Sequence, residues 1–211
     1  MDANRLLANV ASTYASMSSY SDDGVVALPI VTLGLSSAAK TQFSTAIVTP
    51  RLFRFKFESP HPYPPLSHII THSVCGLHGS VAYNWTQFHG EASELTIATS
   101  LRMAVAGATG VSMGSVGTIA ELMLPELGAG WNHGPKNVSL GADEDVEGTR
   151  CHVLRLQLPI THARTYWIDH TTLTIRKVTN SGLFSSEEIR RNIRVNEPID
   201  VRIFEPPKTG A

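Results

Sequence analysis

Residues 51–58 read RLFRFKFE, with Phe53, Phe55 and Phe57 alternating against Arg54 and Lys56. Strict period two places the three rings on one face and the two cations on the other, which is the signature of a half-buried strand. A helix would scatter the same rings around its axis. Sheet structure is therefore fixed at this point in the chain.

Other segments share this character. VVALPIVTLG and FSTAIVT, upstream, are β-branched runs of strand length. After the proline-rich SPHPYPP at 59–65, HIITHSVC and GSVAYNW predict two more strands joined near Gly76 to Gly79. Before them, Leu6, Leu7, Val10, Tyr14 and Met17 recur at helical intervals with Asp2 as N-cap, and Asp22, Asp23 and Gly24 break the pattern. Residues 92–127 change character: ASELTIATSLRMAVAG and SVGTIAELMLPEL predict two helices, split by Gly107, Gly110 and Gly114. Leu95, Leu101 and Val105 form one buried stripe, and Val116, Ile119, Met123 and Leu127 the other. A loop over 128–148 follows.

Strands resume with Leu154, Leu156 and Leu158 alternating against Val153, Arg155 and Gln157. RTYWIDH and TLTIRKVTN read as a hairpin. In EEIRRNIRVN the alternation sends Ile189, Ile193 and Val195 one way and Arg190, Asn192 and Arg194 the other. Strands and helices do not alternate as βα units, so the fold class is α+β, in a single domain over 1–211.

Composition narrows the function. The 17 Lys+Arg nearly balance the 18 Asp+Glu in 211 residues, so no basic surface points to nucleic acid. No apolar run is long enough to span a bilayer, and no basic start leads into an apolar core. Removal of an export signal before Asp2 would leave this same sequence. Cys75 and Cys151 lack C-x-x-C spacing and are read as two buried thiols.

Three segments in order carry a family resemblance: TPRLFRFKFESP (49–60), HGSVAYNW (78–85) and IDVRIFEPPKTG (199–210). With Pro50, Phe53, Gly79, Tyr83, Asp200, Phe204, Pro206 and Pro207 at the matching positions, the chain resembles the bacterial outer-membrane lipoprotein carrier superfamily. The resemblance implies a highly curved antiparallel sheet, an unclosed half-barrel, with helices covering a concave face whose apolar lining holds acyl chains. It further implies a non-enzymatic, monomeric protein of the periplasm or another exported envelope compartment, with a lipid or acylated protein as ligand and an envelope protein as a further partner. Phe53, Phe55, Phe57 and Trp85 from the sheet, and Leu101, Val105, Ile119 and Met123 from the helices, are the expected ligand-binding residues. One position departs. The carrier's lid-holding arginine, just before the proline of the aromatic strand, is Thr49 here.

Two other chemistries have partial support in the sequence. GVSMG at 110–114 satisfies the G-x-S-x-G pattern of a serine hydrolase, and Asp143, Asp145 or Asp169 followed by His152, His162 or His170 supplies hydrolase order. The nucleophile elbow needs a buried strand before the serine, and the segment upstream of Ser112 is helix-like. Gly110 and Gly114 are instead expected to form a hinge, with Ser112 as N-cap of the second helix. A serine hydrolase using Ser112 and a protein-interaction or sensor module stand as alternatives. His68 and His72 of HIITH lie about 13 Å apart if the segment is a strand, too far to share a metal. The acidic run Asp143, Glu144, Asp145 and Glu147 lacks the spacing of a calcium loop and is read as solvated. No catalytic residue, metal ligand or cofactor is assigned.

Overall fold

The structure is a computed structural model describing residues 2–32, 35–61, 64–89, 91–127, 137–157, 163–181 and 185–208, without side chains for 28–39. The first helix, α1 (Ala3–Ala15), is N-capped by Asp2, whose side chain accepts from the Arg5 N–H, and it buries Leu6, Val10 and Tyr14. A meander of six strands follows: β1 (Ser19–Thr32), β2 (Leu35–Val48), β3 (Leu52–Pro60), β4 (Ile70–His78), β5 (Val81–Gln87) and β6 (Glu94–Ala98). Helices α2 (Leu101–Thr109) and α3 (Ser115–Met123) come next. The chain ends with β7 (Asn137–Leu140), β8 (Glu144–Val146), β9 (Thr149–Gln157), β10 (Ala163–Asp169), β11 (Ile175–Ser181), β12 (Ser186–Val195) and a 3₁₀ turn at Val201–Phe204.

All described strand pairs are antiparallel, in the order β6-β5-β4-β3-β2-β1-β12-β11-β10-β9-β7, with β8 also on β9. The first and last strands thus meet at the centre, and β6 and β7 are the two ends of an unclosed half-barrel. The chain leaves one edge at β6, crosses through α2 and α3, and re-enters at the opposite edge in β7. This crossing lays the helices over the concave face. Phe53, Phe55 and Phe57, Ile47 from β2 and Tyr20 from β1 share one core there with Leu6, Val10 and Tyr14 of α1 and the stripes of α2 and α3. Tyr14 ties α1 to the far half of the sheet by accepting the Ile175 N–H at 2.9 Å.

Several expectations change. Residues 92–127 are not all helical: Glu94–Ala98 pair with β5, and α2 starts only after Ser100, whose hydroxyl accepts the Met103 N–H. Leu95 therefore lies on an edge strand and not in the Leu101–Val105 stripe. Asp22, Asp23 and Gly24 do not precede β1 but lie within it. The loop expected over 128–148 contains β7 and β8, with 128–136 outside the described residues. Leu158 also lies outside them.

The alternation along β12 is broken as well. Asn192 has φ +51°, and one residue of β1 between Ser21 and Asp23 faces two of β12, so a bulge switches the faces. Beyond the bulge Ile193 and Val195 pack on the core, while before it Glu188 and Arg190 point inward and are 2% exposed. Cys75 and Cys151 are buried and free, and burial pushes their thiols up to about 12 and about 11. No described helix is long and apolar enough to cross a membrane.

Candidate functional site

The concave face and the α2–α3 corner enclose a cavity of about 510 Å³. Phe57 and Ser73 wall it from the sheet, Ala108 lines it from α2, and Val111 and Met113 from the corner. That volume lies in the range of small-molecule sites, about 300–1,000 Å³. Two lining side chains, Phe88 and Val111, are large, apolar and more than half exposed, which gives the cavity an apolar mouth. Asn84 on β5 holds α2 over the sheet by donating to the Ala104 carbonyl at 3.1 Å. Trp85, the next residue on the strand, alternates to the opposite face of the sheet with Val74 and Lys56, where its indole N–H is buried without a hydrogen-bond partner.

Of the residues expected to bind ligand, Phe57 faces this cavity, and Trp85 meets its edge from a strand position that points to the other side of the sheet. Phe53, Phe55, Leu101, Val105, Ile119 and Met123 are buried together in the adjoining core, between the sheet and the helices. The Phe43 and Phe55 rings stack with centroids 5.4 Å apart, and Phe55 and Phe57 lie 5.9 Å apart. One aromatic layer therefore runs from the core to the cavity wall.

A buried polar network, absent from the sequence reading, sits in the same core. Arg190 pairs with Asp22 of β1 and with Glu188, two residues before it on β12. It also donates to the Thr45 hydroxyl of β2 at 3.2 Å and to the Ser115 carbonyl of α3 at 3.0 Å. Glu188 in turn accepts from the Thr118 hydroxyl of α3 at 2.9 Å, and the Tyr20 hydroxyl donates to Asp22. The guanidinium lies over the Phe43 ring, 4.9 Å from its centroid. Room for that ring comes from Gly24, where a Cβ would fall 2.2 Å from it. Burial pushes the Glu188 carboxyl above its ordinary range, and burial also pushes the Tyr20 hydroxyl well up. Arg190 stays charged because the facing carboxylates outweigh its desolvation. Three strands thus present a charged cluster that grips the N-terminal turn of α3.

Ser112 is fully buried, and its hydroxyl points back to the Thr109 carbonyl at 3.5 Å. It is not the cap of α3; that position is Gly114, with φ +84° and no side-chain cap. Met113, at φ +56°, and Gly114 make the turn between the helices. Of the carboxylates in hydrolase order, Asp143 meets two of the candidate histidines and the other two pair with arginines, while the Ser112 hydroxyl bonds the Thr109 carbonyl. Asp143 contacts His152 and His170; Asp145 pairs with Arg150; Asp169 holds Arg176 and the Thr171 and Thr172 N–H groups. The remaining members of the acidic run are also partnered, Glu144 by the Trp167 indole and Glu147 by Arg191. His162 lies outside the described residues. His72 sits 3.4 Å from Glu58.

Of the positions that carry the resemblance, Phe53 lies in the core while Tyr83, Asp200 and Phe204 serve the outer face. The Tyr83 hydroxyl donates to the Phe204 carbonyl at 3.0 Å, Arg54 donates to the Ile203 carbonyl, and Asp200 caps the turn that buries Phe204. Together these contacts dock the C-terminus on β3, β4 and β5. Thr49 bonds weakly to the Met17 and Ser18 carbonyls, away from α3.

No family model and no curated protein sequence matches the chain. Solved structures do. The chain is similar to MucB at 10% identity and TM-score 0.46, over 98% of this chain and 63% of that one, so it spans less than two thirds of MucB's length. It is similar to the Mycobacterium tuberculosis lipoprotein LppX at 12% identity and TM-score 0.48, over 94% and 98% of the two chains. The lipoprotein carrier superfamily that the sequence motifs resemble is represented among the matches by a LolA superfamily protein from Nitrosomonas europaea, at 8% identity and TM-score 0.39 over 98% of each chain.

Proposed function

We propose that the protein binds and carries an acyl chain, of a lipid or of an acylated protein, between the concave face and the α2–α3 corner, in the bacterial cell envelope and without chemistry on its ligand. The observation that carries this reading is the cavity of about 510 Å³ with its aromatic floor and apolar mouth. A filled core would have no such space. Each methylene buried there contributes roughly 0.8 kcal/mol before the costs of association and chain ordering. Affinity thus follows chain length. Outward movement of α2 and α3 would extend the cavity along Phe55 and Phe53, bringing Leu101, Val105, Ile119 and Met123 into contact with a longer chain.

Native mass spectrometry of the purified protein, with titration of a fluorescent fatty acid, tests the reading. One equivalent is expected to bind. Ser73→Trp, which fills the cavity from β4, and Val111→Glu, which charges its mouth, are each expected to weaken binding about ten-fold or more while circular dichroism stays unchanged. Absence of binding to the unmodified protein, or equal binding by both folded variants, would refute it.

A further inference from the structure

Away from the cavity, three side chains from separate parts of the chain converge. Asp143 lies in the bend between β7 and β8, His152 on β9 and His170 in the turn from β10 to β11. The carboxylate stands between the imidazoles, with Oδ1 3.1 Å from His152 Nδ1 and Oδ2 3.1 Å from His170 Nε2. The two rings stack with centroids 3.7 Å apart. Taking one donor atom from each residue, no two lie more than 4.8 Å apart.

We propose that Asp143, His152 and His170 form a binding site for a divalent transition metal ion of the borderline class, Zn²⁺ foremost. Bonds of about 2.0–2.2 Å to imidazole nitrogen and carboxylate oxygen place tetrahedral ligands roughly 3.3–3.5 Å from one another. The two carboxylate–imidazole separations, each to a different oxygen of Asp143, lie a few tenths of an ångström inside that edge, so the adjustment needed is rotation of the carboxylate and convergence of the two imidazoles. Two nitrogens and one oxygen suit Zn²⁺ better than Mg²⁺ or Ca²⁺, which take all-oxygen shells. Three protein donors leave a fourth position for water or an incoming donor.

The backbone is prepared for this. Gly141 N–H donates to the Val153 carbonyl at 2.8 Å, fastening the segment that carries Asp143 to β9. The His170 N–H donates to the Arg150 carbonyl at 3.1 Å. The turn carrying His170 is closed by Asp169, which accepts the Thr171 and Thr172 N–H groups and binds Arg176. The neighbouring cations are paired elsewhere, Arg150 with Asp145 and Arg176 with Asp169, so neither occupies Asp143. The three side chains are 23% to 35% exposed, open enough for a hydrated ion to reach. A bound ion would tie the β7–β8 bend to β9 and to the β10–β11 turn.

The test is titration of tag-free, chelator-treated protein with ZnCl₂ by calorimetry and thermal unfolding, with Co²⁺ as a spectroscopic probe. Expected are one equivalent bound, a raised Tm and Co²⁺ absorption bands of tetrahedral nitrogen–oxygen ligation. His170→Ala, on the exposed turn, and Asp143→Asn are each expected to lower affinity about ten-fold or more. His72→Ala, at a separate histidine–carboxylate contact, is expected to leave it unchanged. The proposal is overturned if the unmodified protein binds no Zn²⁺, or if His170→Ala and Asp143→Asn both keep its stoichiometry and affinity.

Discussion

At the scale of single residues the decisive group is Arg190. It is fully buried, and its charge is met by two carboxylates. Removing it would strand Asp22, one of whose oxygens is already buried without a hydrogen-bond partner. Arg190→Met is therefore expected to lower unfolding stability by about 3–5 kcal/mol, read as a fall in the urea midpoint. The double variant Asp22→Asn/Arg190→Met should recover part of that loss, because it removes the uncompensated charge. Glu188 gives a pH signature. Burial raises its folded-state pKa above the ordinary 4.5, so its contribution is full below that value and is lost as pH rises through the folded pKa. Glu188→Gln never ionises. The stability advantage of the natural protein over this variant is expected to shrink from pH 4 upward, and a pH-independent difference in urea midpoints would contradict the assignment.

At the scale of elements, period-two alternation identified β3 and β9, while β-branched and aromatic composition between turn signals identified β4, β5 and the β10–β11 hairpin, whose burial does not alternate throughout. Residues 94–98 read with the following helix when Leu95 is joined to Leu101 and Val105 in one stripe, although Leu95 and Ile97, two apart, follow the strand period. Periodicity could not place β7 and β8, whose four and three residues are too short to set a period. Strict alternation sets Arg190 opposite Ile193 and Val195, because a bulge at Asn192 leaves no mark in a hydrophobicity pattern. For the candidate site, Phe57 was legible from its strand, while Val111 and Met113 reach the cavity only through the turn that Gly114 makes. The contact between α3 and the network carries its own prediction. Thr118→Val keeps the shape of the side chain but removes its donation to Glu188, a hydrogen bond to a carboxylate worth about 1.5–3 kcal/mol. Native-state hydrogen exchange should show α3 less protected by a similar amount, with the central strands unchanged. Equal loss in helix and strands would mean that Thr118 supports the whole fold and not the seating of α3.

At the scale of the whole molecule, topology separates what is fixed from what is free to move. The ladder runs unbroken from β6 to β7 through the β1–β12 junction, and α2 and α3 take no part in it. Asp22, Glu188, Arg190 and Thr45 all belong to strands, so their mutual bonds would survive if the helices lifted. Lifting would break the contacts of Ser115 and Thr118 with the network and that of Asn84 with Ala104, and would expose the apolar stripes of the two helices, while the strand ladder stays whole. Opening of the cavity is thus expected to cost far less than unfolding. Hydrogen exchange should report α2 and α3 exchanging through a sub-global opening, below the protection of β1, β2, β3 and β12. Adding the fluorescent fatty acid at a hundred times its dissociation constant should raise stability by about 2.7 kcal/mol. The gain in protection should reach the helices as well as the strands, because a ligand seated beneath α2 and α3 opposes their lifting directly. If helices and strands exchange together without ligand, the helices do not open separately, and entry must be through the mouth at Phe88 and Val111 with α2 and α3 in place.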